Sequence, residues 1–389
     1  MSATSSNAAS GSPKGILSGY GVVALAFITV VTVLGAVAVS AVGSFKAPPK
    51  KIVNGDMVRA FEKHYDEEFP LRIASINVWT AAQLVLFGEG RLGVVIGTDG
   101  WLYTNEEFNV IPKWKDAIAS NLKVVSWVHG ELSRAGVPLM IVIVPEKAKI
   151  YPEHIGKHER AAAHQNLGAQ LVATADALNL PIIDLTTVLS EGRNGGQTYL
   201  RTDTHWTPYG AELAARAVKV RLQELNLTDA AAKPGDYATT EGAEVVHRGD
   251  LLSFLPLEPM FKSLMPPVEM IRDVDTTASA ALSSEMGLFD DTKLPEVALV
   301  GTSYSANPKW NFSGYLEDEL NEGVANYSEE GVGPFPPMMQ FLGGKDFKEH
   351  KPRLVIWEIP ERSLLSKVDL GPFQNLMEVY EPVPVTAKQ

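Results

Sequence analysis

The 389-residue chain has no cysteine. It therefore forms no disulfide, offers no thiolate nucleophile and cannot build a cysteine-ligated zinc or iron–sulfur centre. Such a composition fits an oxidising compartment. Positive charge is scarce as well: 34 Lys and Arg stand against 46 Asp and Glu, a formal charge of −12. No broad basic field is left for nucleic acid. Internal repeats are also absent. What is present is ordinary for a globular protein, with 45% apolar and 21% charged residues, which excludes a disordered, collagenous or coiled-coil chain. The length suits one large domain or two modest ones.

Charge is missing locally too. Between Lys14 and Lys46 lie 31 uncharged residues, GILSGYGVVALAFITVVTVLGAVAVSAVGSF, where about 20 apolar residues suffice to cross a bilayer as helix. A cleavable signal peptide has an apolar stretch of about 7 to 15 residues before a small-residue cleavage site. Although Ala38-Val39-Ser40 resembles such a site, the stretch is too long, and an uncut transmembrane anchor over residues 16–42 is expected. Lysines flank both ends, so the positive-inside rule does not orient the span. A large C-terminal domain behind one N-terminal span is most simply exported. Residues 1–15 read as a disordered start, 43–54 as a linker, 55–366 as the folded domain and 367–389 as a tail. Without the four lysines before residue 52 the remainder carries −16, an acidic exported domain.

Within the body, continuous apolar runs of strand length occur at residues 93–96, 139–144 (LMIVIV), 181–185 (PIIDL), 297–300 (VALV) and 354–357 (LVIW). Continuity rather than alternation predicts parallel strands buried on both faces. Between them lie helical patterns: Trp114, Ile118, Leu122, Val125 and Leu132 recur at spacings of three, four or seven within residues 112–135. Residues 158–178 and 208–224 behave alike, the latter with Thr207 as N-cap and Pro208 in the first turn. Alternating strands and helices predict a three-layer α/β domain around a parallel sheet. Residues 226–292, rich in Pro, Gly and Asp, read as an irregular insertion.

In open parallel sheets, chemistry collects at the carboxyl ends of strands. After VALV comes Gly301-Thr302-Ser303-Tyr304-Ser305. The glycine permits a sharp turn that presents Ser303 as a nucleophile with nearby amides facing a developing oxyanion; equally, the serines of a polar loop cap the next helix. A second segment, Arg201-Thr202-Asp203-Thr204-His205-Trp206, sets a carboxylate and an imidazole two residues apart, on one face of an extended chain. Asp203 there can fix the tautomer of His205 and stabilise its charged form as it takes a serine proton. Ser303, His205 and Asp203 would make a triad. The alternative is that Asp203 caps the helix at Pro208 while His205 packs beside Trp206. As a metal site the pair supplies two ligands where catalytic zinc usually takes three, and neither metal nor cofactor is expected. His154, His158 and His164 read as exposed surface. His64, His129 and His350 sit in helical or tail contexts and read as poorer candidates. His247, in the polar His247-Arg248-Gly249-Asp250-Leu251, is placed to line a cleft but is not assigned to catalysis. Asn307 and Asn311 are candidate oxyanion donors, Trp310 a flat face for a sugar, and Arg362 a bidentate partner for a carboxylate; helix packing and capping compete for the first three.

RTDTHWTPYGAE, GTSYSANPKWNF, HRGDLLSFLPLEP, VPEKAKIYPEHI, GTDGWLYTNEEF and LVIWEIPER together resemble the AlgJ/AlgX family of exported, SGNH-hydrolase-like alginate O-acetyltransferases. The anchor, and the lack of a C-terminal carbohydrate-binding module, bring the chain nearer the AlgJ branch. The resemblance spans roughly residues 54–365. It implies Ser303 as nucleophile with Asp203 and His205. It also implies a periplasmic domain anchored in the inner membrane, polymannuronate as acceptor, and a multispanning membrane acyltransferase that supplies acetyl groups alongside other alginate acetylation and export components. Ordinary SGNH hydrolases place the serine first, whereas here His205 precedes Ser303 by 98 residues, the circularly permuted order of this family. Two other classes remain: a catalytically silent polysaccharide-binding scaffold of the acetylation complex, and a periplasmic carbohydrate acetylesterase. A domain at −16 repels a uronate polymer at long range, so binding would depend on local Lys and Arg, or be weak with the polymer passed along by partners.

Overall fold

The computed structural model describes residues 19–43, 45–46, 54–165, 167–228, 235–280, 282, 294–369 and 371. The expected disordered start lies outside these residues, as do most of the linker and the tail. The chain divides into two compact units, residues 1–82 with 257–264, and residues 83–256 with 265–389. The folded body expected to run unbroken from residue 55 is thus divided at residue 82.

The first unit carries the helix Gly19–Val42. Within it, residues 20–39 have a mean hydropathy of 2.8 and none of them is buried. At about 1.5 Å per residue the helix is long enough for a hydrocarbon core of about 30 Å. Its apolar side chains face outward all round, as a bilayer and not water would favour.

The second unit holds strands β1 (Val94–Ile96), β2 (Leu102–Thr104), β3 (Leu139–Val144), β4 (Ile182–Asp184), β5 (Tyr237–His247), β6 (Glu269–Ala278), β7 (Val297–Val300), β8 (Val324–Asn326) and β9 (Leu354–Pro360). Five of them form one parallel sheet in the order β4-β3-β9-β7-β8. Alternate residues point to opposite faces. Met140, Val142, Val144, Leu299 and Ile356 pack on one side with Ala211, Ala215 and Val218 of the helix Pro208–Glu224. Ile141, Ile143, Val300, Val355 and Trp357 pack on the other with Val125, Val128 and Leu132 of the helix Trp114–Arg134. This is the expected three-layer α/β domain, and β3 and β7 are apolar throughout because both faces are covered.

Three expectations are corrected. The run at residues 93–96 stays out of the sheet: β1 pairs antiparallel with β2, because Asp99 and Gly100 both adopt positive φ (56° and 78°) and fold the chain back as a tight hairpin turn requires. The fifth sheet strand is instead β8, only three residues long. Residues 226–292 are not irregular throughout, since β5 and β6 pair there as a long antiparallel ribbon. Its mostly exposed Thr, Glu and Asp side chains lack the apolar run that marks a buried strand. The 158–178 pattern is realised as Ala162–Gln165 and Leu167–Ala177, with residue 166 outside the described residues.

The helix Pro208–Glu224 starts as its sequence dictates. The Thr207 hydroxyl accepts from Gly210 N at 3.0 Å and donates to Gln197 O at 2.6 Å, so Asp203 is not its cap. Thr207→Ala should lower the unfolding free energy by about 1 kcal/mol, while Thr207→Ser should remain close to wild type. Chemical denaturation measures both; equal stability of the Ala variant and wild type would refute the capping role.

Candidate active site

Three adjacent strand ends build the site. At the end of β7, a Cβ on Gly301 would lie 2.5 Å from Glu358 Oε2, so only glycine lets the chain turn beside that carboxylate. Glu358, buried within β9, accepts from Thr302 N at 2.7 Å, Thr302 Oγ1 at 2.9 Å and Ser305 Oγ at 3.1 Å. Burial pushes its pKa up and these hydrogen bonds oppose the rise. The turn is thereby fixed, and Ser303 opens the short helix Ser303–Ala306.

The facing segment, residues 200–206, has little regular structure of its own and is held by buried charges. Glu269, the first residue of β6, accepts from Arg201 N at 2.6 Å, Thr202 N at 3.0 Å and Thr202 Oγ1 at 2.8 Å. Lys147, fully buried beyond the end of β3, donates to the carbonyls of Leu200, Arg201 and Asp203 at 3.0, 3.3 and 2.6 Å. Burial depresses its pKa to about 8 against the pull of Glu107, Asp203, Asp250 and Glu269. Tyr304 OH donates to Thr204 O at 2.8 Å, tying this segment to the serine turn.

His205 then lies between its partners. Its Nδ1 is 2.6 Å from Asp203 Oδ1 and its Nε2 is 2.7 Å from Ser303 Oγ. A carboxylate only accepts, so Nδ1 carries the hydrogen and Nε2 is free to accept from the serine hydroxyl. Asp203 takes two donors on each oxygen. His205 N (3.1 Å) and Nδ1 serve Oδ1; His247 Nε2 (2.9 Å) and Asp250 N (3.0 Å) serve Oδ2. Burial alone would raise its pKa, but the hydrogen bonds from His205 and His247 hold the carboxyl well below the usual range. The arrangement can draw a proton from Ser303 as its oxygen attacks a carbonyl carbon and stabilise the imidazolium that results.

Ser303 and His205 line a cleft of about 380 Å³ with Arg362, Glu106, Asn109 and Phe254. Arg362 binds the Tyr304 hydroxyl at 3.1 Å and Glu106 at 3.0 Å. Three expectations fail here. Trp310 is only 1% exposed; its ring stacks on His205 at 5.2 Å and its Nε1 donates to Ser303 O at 3.2 Å, so its face is not open to a sugar. Asn307 caps the following turn through Lys309 N at 3.1 Å, and Asn311 Nδ2 is given to Thr276 Oγ1 at 2.9 Å. Neither lines the cleft. The amides that do are Asn105 and Asn109. His164, expected at the surface, is buried with Nδ1 at 2.5 Å from Glu146 Oε1.

Sequence reasoning missed the roles of Lys147, Glu269 and His247. For His247 a signal existed: a Cβ on Gly249 would lie 2.0 Å from Thr202 O, so the glycine two residues later marks a close backbone approach. Asp250 also brings a third group within 4.8 Å of Asp203 and His205, a spacing open to a metal. The donor chemistry does not fit. Both Asp203 oxygens face N–H groups, and His205 Nδ1 is turned to Asp203.

A family model described as "SGNH hydrolase-like domain, acetyltransferase AlgX" matches residues 94–361. The chain is 43% identical to the "Probable alginate O-acetylase AlgJ" of Pseudomonas aeruginosa over 337 residues, 85% of each chain. It is 40% identical to the protein of that name from Pseudomonas putida over 352 residues, 90% of each. Among solved structures, the "O-Acetyltransferase Domain of Pseudomonas putida AlgJ" aligns with a TM-score of 0.67 at 38% identity, covering 74% of this chain and 98% of that one. Pseudomonas aeruginosa AlgX aligns with a TM-score of 0.52 at 20% identity, over 70% of this chain and 63% of that one, which shows a shared fold.

Asp203→Asn tests the site. An amide nitrogen cannot accept, so whichever way it turns, one side loses its bond from a backbone N–H, and the imidazole on that side can keep its contact only by taking the other tautomer. Stability should fall by about 1–3 kcal/mol. Acylation of Ser303 by an activated ester should fall far more, by about 10⁴ if the loss matches the same change in a serine-protease triad. Rapid-quench acylation kinetics beside a denaturation curve separate the two; a rate loss no larger than the fraction unfolded would remove Asp203 from the chemistry.

Proposed function

The chain belongs to the AlgJ/AlgX family of SGNH-hydrolase-like acetyltransferases, and from that premise we propose that it O-acetylates the mannuronate residues of alginate through an acetyl-serine intermediate. The observation that carries this reading is the unbroken hydrogen-bond chain Ser303–His205–Asp203, whose first two members line the cleft. In the first step Ser303 Oγ gives its proton to His205 Nε2 and bonds the carbonyl carbon of an acetyl donor; the bond to the leaving group breaks and the leaving group takes the proton. In the second, a sugar hydroxyl gives its proton to His205 and attacks the acetyl-serine, forming the sugar ester and returning the hydrogen to Ser303. Water in place of the sugar would give hydrolysis, so transfer requires that the acceptor be held in the cleft. Arg362 is the cation at hand for a uronate carboxylate, in exchange for Glu106, whose side chain is 70% exposed.

The helix Gly19–Val42 supports an uncut anchor in the inner membrane with the acidic domain in the periplasm. There the acetyl donor would be presented by a multispanning acyltransferase and the acceptor by other components of alginate acetylation and export. An alkaline phosphatase fusion after the last residue should be active in cells and fractionate with inner membrane. Soluble protein beginning near Ala41 would show a cleaved signal instead.

Ser303 is the residue to be acylated. After brief incubation with an activated acetyl ester, intact-mass analysis should show one added acetyl, mapped to the peptide that holds Ser303. Cells carrying only Ser303→Ala should make alginate without the acetyl groups this protein adds. The same label on Ser303→Ala, or normal acetylation, would move the weight to the scaffold reading.

A further inference from the structure

We infer that His247 is a positioning residue for the reaction, acting through the far oxygen of Asp203; the inference rests on the catalytic reading of Ser303, His205 and Asp203. His247 is 5% exposed and does not line the cleft, so it touches no reacting atom. Its Nε2 is 2.9 Å from Asp203 Oδ2 and must carry the hydrogen, because a carboxylate only accepts. Oδ1 is the oxygen that faces His205. The plane of the carboxylate is set by both ends, and with His247 removed only Asp250 N would hold Oδ2.

His247 is itself held by two further contacts. It is the last residue of β5 and pairs in register with Glu269, the first of β6. That glutamate fixes the amides of Arg201 and Thr202 immediately before Asp203. The His247 ring also meets Trp310 edge to face at 5.6 Å and 74°, and Trp310 lies against His205 while donating to Ser303 O. His247 thus closes a circuit of contacts that includes all three reacting residues. A side chain present only to fill space would not place its one donor nitrogen on the one catalytic carboxylate.

Turnover of an activated acetyl ester by the full chain in detergent tests this. His247→Ala should lower kcat by about 10- to 100-fold, the range for a lost hydrogen bond to a charged group, and leave KM unchanged. His247→Gln, whose amide N–H can reach the same oxygen, should recover most of the loss at equal or lower stability. Added to Asp203→Asn, His247→Ala should cost nothing further, because a residue that acts through another is not additive with it. Wild-type kcat in His247→Ala, a Gln variant no better than Ala, or the same loss in both backgrounds would each overturn the inference. Ser303→Ala in the same assay keeps the two readings apart. If it still turns over, the catalytic reading fails; if it is dead while His247→Ala is normal, only the role of His247 fails.

Discussion

A buried carboxylate is costly unless its oxygens are satisfied, and the site is organised around meeting that demand at Asp203. Four N–H groups do so: two belong to His205, one to the end of β5 and one to the loop that follows it. Geometry and charge are solved together. The donors that make an ionised Asp203 tolerable are also those that aim Oδ1 at the imidazole. Lys147 extends the arrangement by holding the carbonyl of the same residue from behind.

Three other buried charges serve one purpose in different places. Glu358 holds the turn that carries Ser303, and Glu269 and Lys147 hold the segment that carries Asp203 and His205. Glu269 and Lys147 stand at or just beyond a strand end and Glu358 reaches from within β9 to the end of β7, where backbone groups lose their ladder partners and need others. A parallel sheet offers a rigid base, but its loops are irregular. Buried ionic side chains turn those loops into fixed supports, as the 2.7 Å contact between chain-distant His205 and Ser303 requires.

Much of this was legible in the sequence for physical reasons. Strands buried on both faces are rich in apolar residues, so β3, β7 and β9 stand out, as does half-buried β4; three-residue β8 and the polar ribbon β5–β6 do not, because neither carries such a run. Ser303, His205 and Asp203 were readable because strand-Gly-x-Ser and Asp-x-His each encode local geometry. Trp310, Asn307 and Asn311 were misread because proximity in sequence to a nucleophile says nothing of where a side chain turns, and all three turn into packing or capping. His247 and Glu269 lie 44 and 66 residues from Asp203 along the chain, and only the pairing of β5 with β6 brings them to it.

The strand order carries a consequence for how the domain is made. β9 is the last of the sheet's strands in sequence yet lies at its centre, between β3 and β7. Until residue 360 has left the ribosome, the pairs β3–β4 and β7–β8 can exist only as separate halves, each with a bare apolar edge facing the gap. Closing that gap is a non-local event, with β3 joining a partner more than 200 residues downstream, and such closures are slow and expose hydrophobic edges meanwhile. The chain therefore emerges as two unfinished half-sheets awaiting a common central strand. A truncation just before Leu354 would remove little length but would leave Glu358 and Arg362 missing and the serine turn unsupported, so the site and the sheet are completed by the same late segment.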